Sequence, residues 1–190
     1  MQKPYKEIRW HARGGQGAKT AAVLVAQMAI DEGKFSQGFP EYGPERMGAP
    51  VLGYTRVGKE IITSHSSIYH PDVVVVLDET LMATVDVCEG MADDGVLLVN
   101  TQQSVEVIRE KISNKKVKIY TVDAGKISRD ELGRNMPNTP MMGALAKVTE
   151  DVVALDSILK GFEKKFGKKL KPEAIQGNIK AIKRAYDEVA

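Results

Sequence analysis

The stretch Val73-Val74-Val75-Val76-Leu77 decides the fold class of this chain. A run of valines closed by a leucine is too continuous for a strand that is exposed on one face, and it predicts a central parallel strand buried on both faces. Similar β-prone runs lie at 96–99 and 117–122. The residues that follow these three runs are polar: Asp78-Glu79, Asn100 and Asp123.

Strand and helix patterns alternate outward from this run. The sequence predicts strands at 7–10 and 35–39, and a hairpin of strands 51–57 and 60–64 around a type II′ turn at Gly58-Lys59. It predicts helices at 18–32, 81–91, 104–112 and 141–148, and again from 151 to the end with a break at 167–172. The pattern indicates a three-layer α/β fold, a mostly parallel sheet with an inserted antiparallel hairpin and C-terminal helices.

Length and composition are those of one ordinary globular domain. The chain has 190 residues, 43% of them hydrophobic and 27% charged, so we expect a single domain over 1–190 whose part from about 151 to 190 is helical. No apolar run approaches the ~20 residues that span a bilayer. Residues 1–6 lack a secretory signal, and the net charge of +2 does not favour nucleic acid. We expect a cytoplasmic protein without a membrane or nucleic-acid partner.

The chain is poor in cysteine and histidine. Its single cysteine, Cys88, cannot form an intrachain disulfide, and iron–sulfur clusters usually take four thiolates. The histidines, His11, His65 and His70, lack the spacing of a zinc site, so no metal site is expected. We expect Cys88 to be a buried thiol within the predicted helix 81–91, and His11 is the histidine to test for ligand contact.

The most informative local feature is the turn Arg13-Gly14-Gly15-Gln16-Gly17 between the first strand and its helix. Free backbone amides at a helix N-terminus suit a phosphate, and glycines let it approach the backbone. Lys19 is out of register for a nucleoside-triphosphate loop. A dinucleotide fingerprint, with Glu41 as the ribose-binding acid, and a purely structural tight turn both stay open at this point.

The loop from Glu41 to Pro50 is the second unusual segment. It combines glycines, prolines, two acids and an arginine within ten residues, a mixture that loops without a function seldom need. A plain ion pair of Arg46 with Glu41 or Glu45 explains it equally well. Asp78 is interpreted as the N-cap of the helix that follows it rather than as a catalytic acid.

Several stretches resemble the gamma subunits of 2-oxoacid:ferredoxin oxidoreductases. The likeness lies in residues 7–18, 39–50, 71–75, 94–100 and 137–145 and continues into the basic helices near 178–186, so it covers essentially the whole chain. The segment Asn138-Thr139-Pro140-Met141 is most similar to the corresponding segment of the pyruvate enzymes, or pyruvate synthases. Ala12 stands where a glycine is common and is tolerable if its φ is negative. Met47 stands where a second arginine is common.

The resemblance implies a share in a larger reaction. The complete enzyme oxidises a 2-oxoacid with thiamine diphosphate, passes electrons through [4Fe-4S] clusters to ferredoxin and captures the acyl group on coenzyme A. Partner subunits of alpha, beta and delta type carry the thiamine diphosphate and the clusters. This chain has one cysteine and no G-D-G…N-N motif. It is therefore expected to hold no catalytic residue and to be inactive alone.

The resemblance also suggests roles for individual residues. The turn Arg13, Gly14, Gly15, Gln16 and Gly17 becomes a candidate site for the ADP or pyrophosphate part of coenzyme A. A second group is expected to face the partner subunits and the catalytic centre: Glu41, Tyr42, Gly43, Glu45, Arg46, Asn138 and Thr139. The alternatives are a free-standing dinucleotide-binding protein and a purely structural assembly subunit.

Overall fold

A six-stranded mixed sheet forms the centre of the computed structural model, which describes residues 3–41 and 48–190. The strand order is β2-β3-β1-β4-β5-β6. Strand β3 runs antiparallel to both of its neighbours, and the other strands share one direction. The strands are β1 (Tyr5–Arg13), β2 (Phe35–Pro40), β3 (Pro50–Gly58), β4 (Val73–Val76), β5 (Val96–Asn100) and β6 (Lys118–Val122).

Helices cover both faces of the sheet and make three layers. Ile8, Trp10 and Val75 point to one face, where the largest core packs against α1 and the C-terminal helices. Val74 and Val76 point to the opposite face and pack against α2 and the segment 87–91. The predicted fold class is confirmed. The helices are α1 (Ala18–Asp31), α2 (Val105–Lys111), α3 (Ala124–Leu132), α4 (Asn138–Val148), α5 (Leu155–Phe166) and α6 (Pro172–Glu188).

The antiparallel part of the sheet differs from the predicted hairpin. Residues 60–64 form no strand, and β3 instead pairs with β2 on one edge and with β1 on the other. Because both edges of β3 are occupied, no backbone groups remain for a strand at 60–64. The carbonyls of Ser64 and Ser66 accept hydrogen bonds from the guanidinium of Arg56 at 3.5 Å and 2.7 Å.

The predicted helix 81–91 is also wrong. A short 3₁₀ helix, Glu79–Ala83, is followed by turns. The Asp86 carboxylate accepts from the amide of Cys88 at 3.0 Å, a local bond that favours a turn over a helix. The carbonyls of Val87 and Glu89 accept from Arg9 Nη2 at 3.2 Å and 2.7 Å. Cys88 is buried as expected, and burial raises the pKa of its thiol to about 11.

Two helices begin at residues that were not predicted from the sequence. Asp123 caps α3, which was not predicted, by accepting from the amide of Lys126 at 2.8 Å. Helix α4 begins at Asn138, three residues before the predicted start. Within the described ranges 3–41 and 48–190, no helix is long and apolar enough to cross a bilayer.

A buried polar layer lies on the face of β1 that points away from α1. Arg56 Nε donates to Glu7 Oε1 at 2.9 Å, with both side chains almost fully buried. Arg9 Nε donates to His11 Nε2 at 3.0 Å. Glu7, Arg9 and His11 alternate along β1 with Ile8 and with the other apolar residues of the large core. The layer holds the irregular segments 59–70 and 85–90 against the sheet.

Candidate functional site

The carboxyl ends of the parallel strands meet at one edge of the sheet. The registers of β1 with β4, β4 with β5 and β5 with β6 are all parallel. The glycine turn therefore lies next to Asp78, with Asn100 and Asp123 further along the same edge. Ligands of open α/β sheets bind at this edge.

The glycine turn presents unpaired backbone donors. Gly15 and Gly17 have φ values of 96° and 82°, a conformation that favours glycine. Gly17 is the N-cap of α1 and leaves the helix without a side-chain cap. The amides of Gly15, Gly17 and Ala18 donate to no acceptor among the described residues. Together with the positive end of the α1 dipole, they form a surface suited to an anion.

Arg13 adds a half-exposed guanidinium beside this turn. Its Nη2 donates to Thr80 Oγ1 at 2.8 Å, its Nε donates to the same oxygen at 3.2 Å, and its Nη1 donates to the carbonyl of Gly48 at 3.2 Å. Nε also lies 3.4 Å from Asp78 Oδ2. A guanidinium has five N–H groups, and two of these donate to no acceptor within the described ranges 3–41 and 48–190. Charge-assisted bonds to phosphate are the interaction that such a group makes best.

Asp78 and Gln16 connect the turn to strand β4. Gln16 Oε1 accepts from the Arg13 amide at 2.7 Å, and Gln16 Nε2 donates to Asp78 Oδ2 at 2.7 Å. Asp78 Oδ1 accepts from the amide and hydroxyl of Thr80 at 3.0 Å and 2.6 Å, which confirms it as an N-cap. Burial opposes ionisation of Asp78, but the hydrogen bonds from Thr80 and Gln16 outweigh it and hold its pKa below the ordinary value.

Asn138 brings a second helix N-terminus to the turn. It is the first residue of α4, is 5% exposed, and packs so closely on Gly17 that a Cβ there would lie 2.6 Å from its Nδ2. Its Oδ1 is buried and has no hydrogen-bond partner within the described part of the chain. A buried acceptor left unpaired costs about 1–3 kcal/mol, so a partner for it is expected from outside. Thr139 beside it is also buried.

The second predicted loop lies mostly outside the described residues. Tyr42, Gly43, Glu45 and Arg46 fall there, as does Met47. Glu41 is described and exposed, and its Oε1 accepts from the hydroxyl of Tyr54 at 3.2 Å.

The position of Glu41 does not match a dinucleotide site. In that fingerprint the acidic residue follows the strand next to the glycine turn. Here β3 lies between β1 and β2, so Glu41 is two strands away.

Three other residues considered from the sequence have structural roles. His11 is buried, and burial and the charge of Arg9 lower its pKa to about 3, so its ring is neutral and not open to a ligand. Asn100 donates to the carbonyl of Leu77 at 2.9 Å and accepts from the amide of Gly125 at 3.0 Å. Ala12 has no positive φ, as its tolerance required.

In residues 3–41 and 48–190, no cluster of three or more histidine, cysteine or acidic side chains could hold a metal ion. The functional groups of the site are backbone amides, the guanidinium of Arg13, the carboxylate of Asp78 and the carboxamides of Gln16 and Asn138. The free donors among these groups are of the kind that suits an anionic ligand.

Comparison with known proteins identifies the family. The model of the pyruvate ferredoxin/flavodoxin oxidoreductase family matches residues 7–188. The pyruvate synthase subunit PorC of Thermotoga maritima is 49% identical over 189 residues, which span 100% of this chain and 97% of the relative. The chain belongs to the pyruvate ferredoxin/flavodoxin oxidoreductase family. The predicted gamma subunit of this oxidoreductase family, of pyruvate synthase type, is confirmed.

Further members of this oxidoreductase family agree. The pyruvate/ketoisovalerate oxidoreductases common subunit gamma of Pyrococcus abyssi is 43% identical, covering 96% of each chain. The crystal structure of the Thermotoga maritima pyruvate oxidoreductase subunit PORC (EC 1.2.7.1) superposes with a TM-score of 0.88 at 46% identity, covering 99% of this chain and 98% of that one.

A more distant structure shares the fold. It is a 2-oxoglutarate:ferredoxin oxidoreductase from Magnetococcus marinus with 2-oxoglutarate, coenzyme A and succinyl-CoA bound. Its TM-score is 0.75 at 16% identity, and the match covers 98% of this chain but 31% of that longer chain.

Proposed function

We propose that this chain, as one domain over 1–190, is the gamma subunit of an oxidoreductase that converts pyruvate and coenzyme A to acetyl-CoA and CO2 with reduction of ferredoxin. The relative in Thermotoga maritima, named as a pyruvate synthase subunit, supports pyruvate as the substrate. Partner subunits of alpha, beta and delta type supply the thiamine diphosphate and [4Fe-4S] clusters. The gamma chain works only within that assembly.

Substrate choice belongs to the partner subunits in this proposal. The relative in Pyrococcus abyssi is named as a subunit common to pyruvate and ketoisovalerate oxidoreductases. A subunit that serves two such enzymes does not distinguish their 2-oxoacids. The two reactions share coenzyme A, whose thiol accepts the acyl group.

The contribution of this chain is the coenzyme A side of the active site. The observation that carries this proposal is the meeting of two helix N-termini, where Asn138 packs against Gly17 beside unpaired amides and Arg13. Coenzyme A carries a diphosphate for the amides and the guanidinium, and amide and adenine N–H groups for the unpaired Asn138 Oδ1. The Magnetococcus marinus protein, whose fold this chain shares, was crystallised with coenzyme A. In this proposal Glu41, which is exposed, and Thr139, which follows Asn138, face the partner subunits.

Anaerobic affinity purification of this chain from its native cells tests the assembly. We expect the eluate to contain iron and thiamine diphosphate and to reduce a viologen dye when both pyruvate and coenzyme A are added. Parallel assays with 2-oxoisovalerate and 2-oxoglutarate test the substrate. A chain that elutes alone and without iron would contradict the proposal.

The Arg13→Ala variant tests the coenzyme A site. In the assembled complex we expect calorimetric titration of coenzyme A to show about tenfold weaker binding, because a charge-assisted hydrogen bond to phosphate is lost. Pyruvate affinity should not change. Lys59→Ala is the matched control, because Lys59 is an exposed cation that follows β3 at the edge of the sheet opposite the glycine turn. A complex that assembles and keeps wild-type affinity for coenzyme A after Arg13→Ala would favour a purely structural subunit.

A further inference from the structure

Asp78 occupies an unusual position for a helix-capping carboxylate. One of its oxygens caps the 3₁₀ helix through Thr80, and the other faces the glycine turn. That second oxygen accepts from Gln16 Nε2 at 2.7 Å and lies 3.4 Å from Arg13 Nε. Capping alone needs only the first oxygen. The second contact places a negative charge next to a turn whose remaining features suit an anion.

Backbone hydrogen bonds restrain only part of the glycine turn: the Gly14 amide donates to the carbonyl of Ala49 at 2.8 Å, and the Gln16 amide donates to the carbonyl of Arg13 at 3.1 Å. The residues on either side of Gln16 are glycines with positive φ, and each can adopt many other conformations. The Gln16 side chain spans the turn, since its Oε1 holds the Arg13 amide and its Nε2 holds Asp78. The directions of the unpaired amides of Gly15 and Gly17 therefore depend on a side chain that Asp78 anchors.

The order of donors and acceptors in this chain of bonds is fixed. The Arg13 amide and the Thr80 amide can only donate, and they stand at the two ends. Gln16 must then accept at one end and donate at the other, so Asp78 must accept on both sides. A carboxylate meets this requirement and a carboxamide does not.

We propose that Asp78 and Gln16 are positioning residues for coenzyme A: together they fix the Arg13 guanidinium and the amides of the glycine turn in the arrangement that receives the diphosphate. This inference rests on the proposed function of the site. Neither side chain needs to touch the diphosphate, because the pair acts through Arg13 and the turn. Asp78 and Thr80 hold one edge of the Arg13 guanidinium. These contacts fix the direction of its other N–H groups before the ligand binds.

Exchanging the two functional groups tests the pair. In Asp78→Asn, the new side-chain NH2 group must face another donor, which is either Gln16 Nε2 or the backbone amide of Thr80. In Gln16→Glu, two carboxylates face each other across a former hydrogen bond. We expect each single variant to weaken coenzyme A binding by the assembled complex about tenfold. The double variant Gln16→Glu/Asp78→Asn restores one donor facing one acceptor and keeps one negative charge beside Arg13, so it should recover most of the wild-type affinity.

Several controls separate the possible outcomes. Gln27→Glu adds the same charge at an exposed residue near the C-terminal end of α1, away from the glycine turn at the start of that helix, and should not change coenzyme A binding. The KM for coenzyme A should rise in both single variants, whereas the KM for pyruvate should not. The pairing would be overturned if the double variant bound coenzyme A as weakly as the single variants do. It would also be overturned if the double variant regained thermal stability but not affinity for coenzyme A. If the Asp78 and Gln16 variants bind coenzyme A with wild-type affinity but Arg13→Ala binds it more weakly, only the pairing is overturned. If Arg13→Ala also binds coenzyme A with wild-type affinity, the proposed coenzyme A site is overturned as well.

Discussion

His11 shows how a single residue couples this fold to pH. Burial and the neighbouring charge of Arg9 lower its pKa to about 3 from the ordinary value of 6.5. In the folded state its Nε2 is the acceptor for Arg9 Nε, so protonation of the ring would break that hydrogen bond. Between these two pKa values the unfolded chain binds a proton that the folded chain excludes. The free energy of unfolding therefore falls as the pH drops below 6.5.

The variant His11→Gln should remove this pH dependence, because a glutamine oxygen can accept from Arg9 but does not titrate. We expect the wild-type chain to lose about 2 kcal/mol more than the variant between pH 7 and pH 5. Urea unfolding of the full chain at both pH values measures the difference. His65→Gln, which changes an exposed histidine, should behave like the wild type. An equal loss in His11→Gln and wild type would show that His11 is not the group responsible.

At the scale of the elements, local patterns predicted what is decided locally. The run at 73–77 forms the central strand because it is apolar on both faces, and α1 ends before Gly33 as expected. The predicted hairpin at 51–64 was wrong, although Gly58-Lys59 is a dipeptide that favours a hairpin turn. Its outcome depends on β1 and β2, which compete with residues 60–64 for the edges of β3 and occupy both of them. Pattern alone contains no information on that competition.

The missing helix at 81–91 has a similar cause. Arg9, on a different strand, takes the carbonyls of Val87 and Glu89 that a helix would have used. A buried guanidinium requires acceptors, and this demand outweighs the modest helix propensity of the segment.

The candidate site divides in the same way. The glycine turn is visible as a motif, and Asp78 could have been placed beside it by the rule that parallel strands end at one edge. The contact of Asn138 with Gly17 could not have been predicted, because it joins helices from the two halves of the chain. The resemblance to known gamma subunits singled out Asn138 but associated it with the partner subunits. Its unpaired Oδ1 becomes visible only in the folded structure.

At the scale of the whole molecule, the C-terminal helices determine where Asn138 lies. Helix α4 carries Asn138 at its first turn and crosses α6 at Gly143. A Cβ at Gly143 would lie 2.1 Å from the carbonyl oxygen of Ile182, a backbone atom that cannot move without its helix. The glycine therefore sets the distance between α4 and α6, and through α4 it sets the position of Asn138 against the glycine turn.

The variant Gly143→Ala should separate the two helices and disturb the distant site at the same time. We expect the free energy of unfolding to fall by about 1–3 kcal/mol, because a packed interior resists an added methyl group. Coenzyme A binding by the assembled complex should weaken as Asn138 moves away from Gly17. Gly161→Ala is the matched control: its methyl group would meet the flexible side chain of Met28 at 2.6 Å, and α5 does not carry Asn138. Urea unfolding and calorimetric titration measure both effects. Destabilisation without any change in coenzyme A affinity would mean that the helical layer supports the fold but does not position the site.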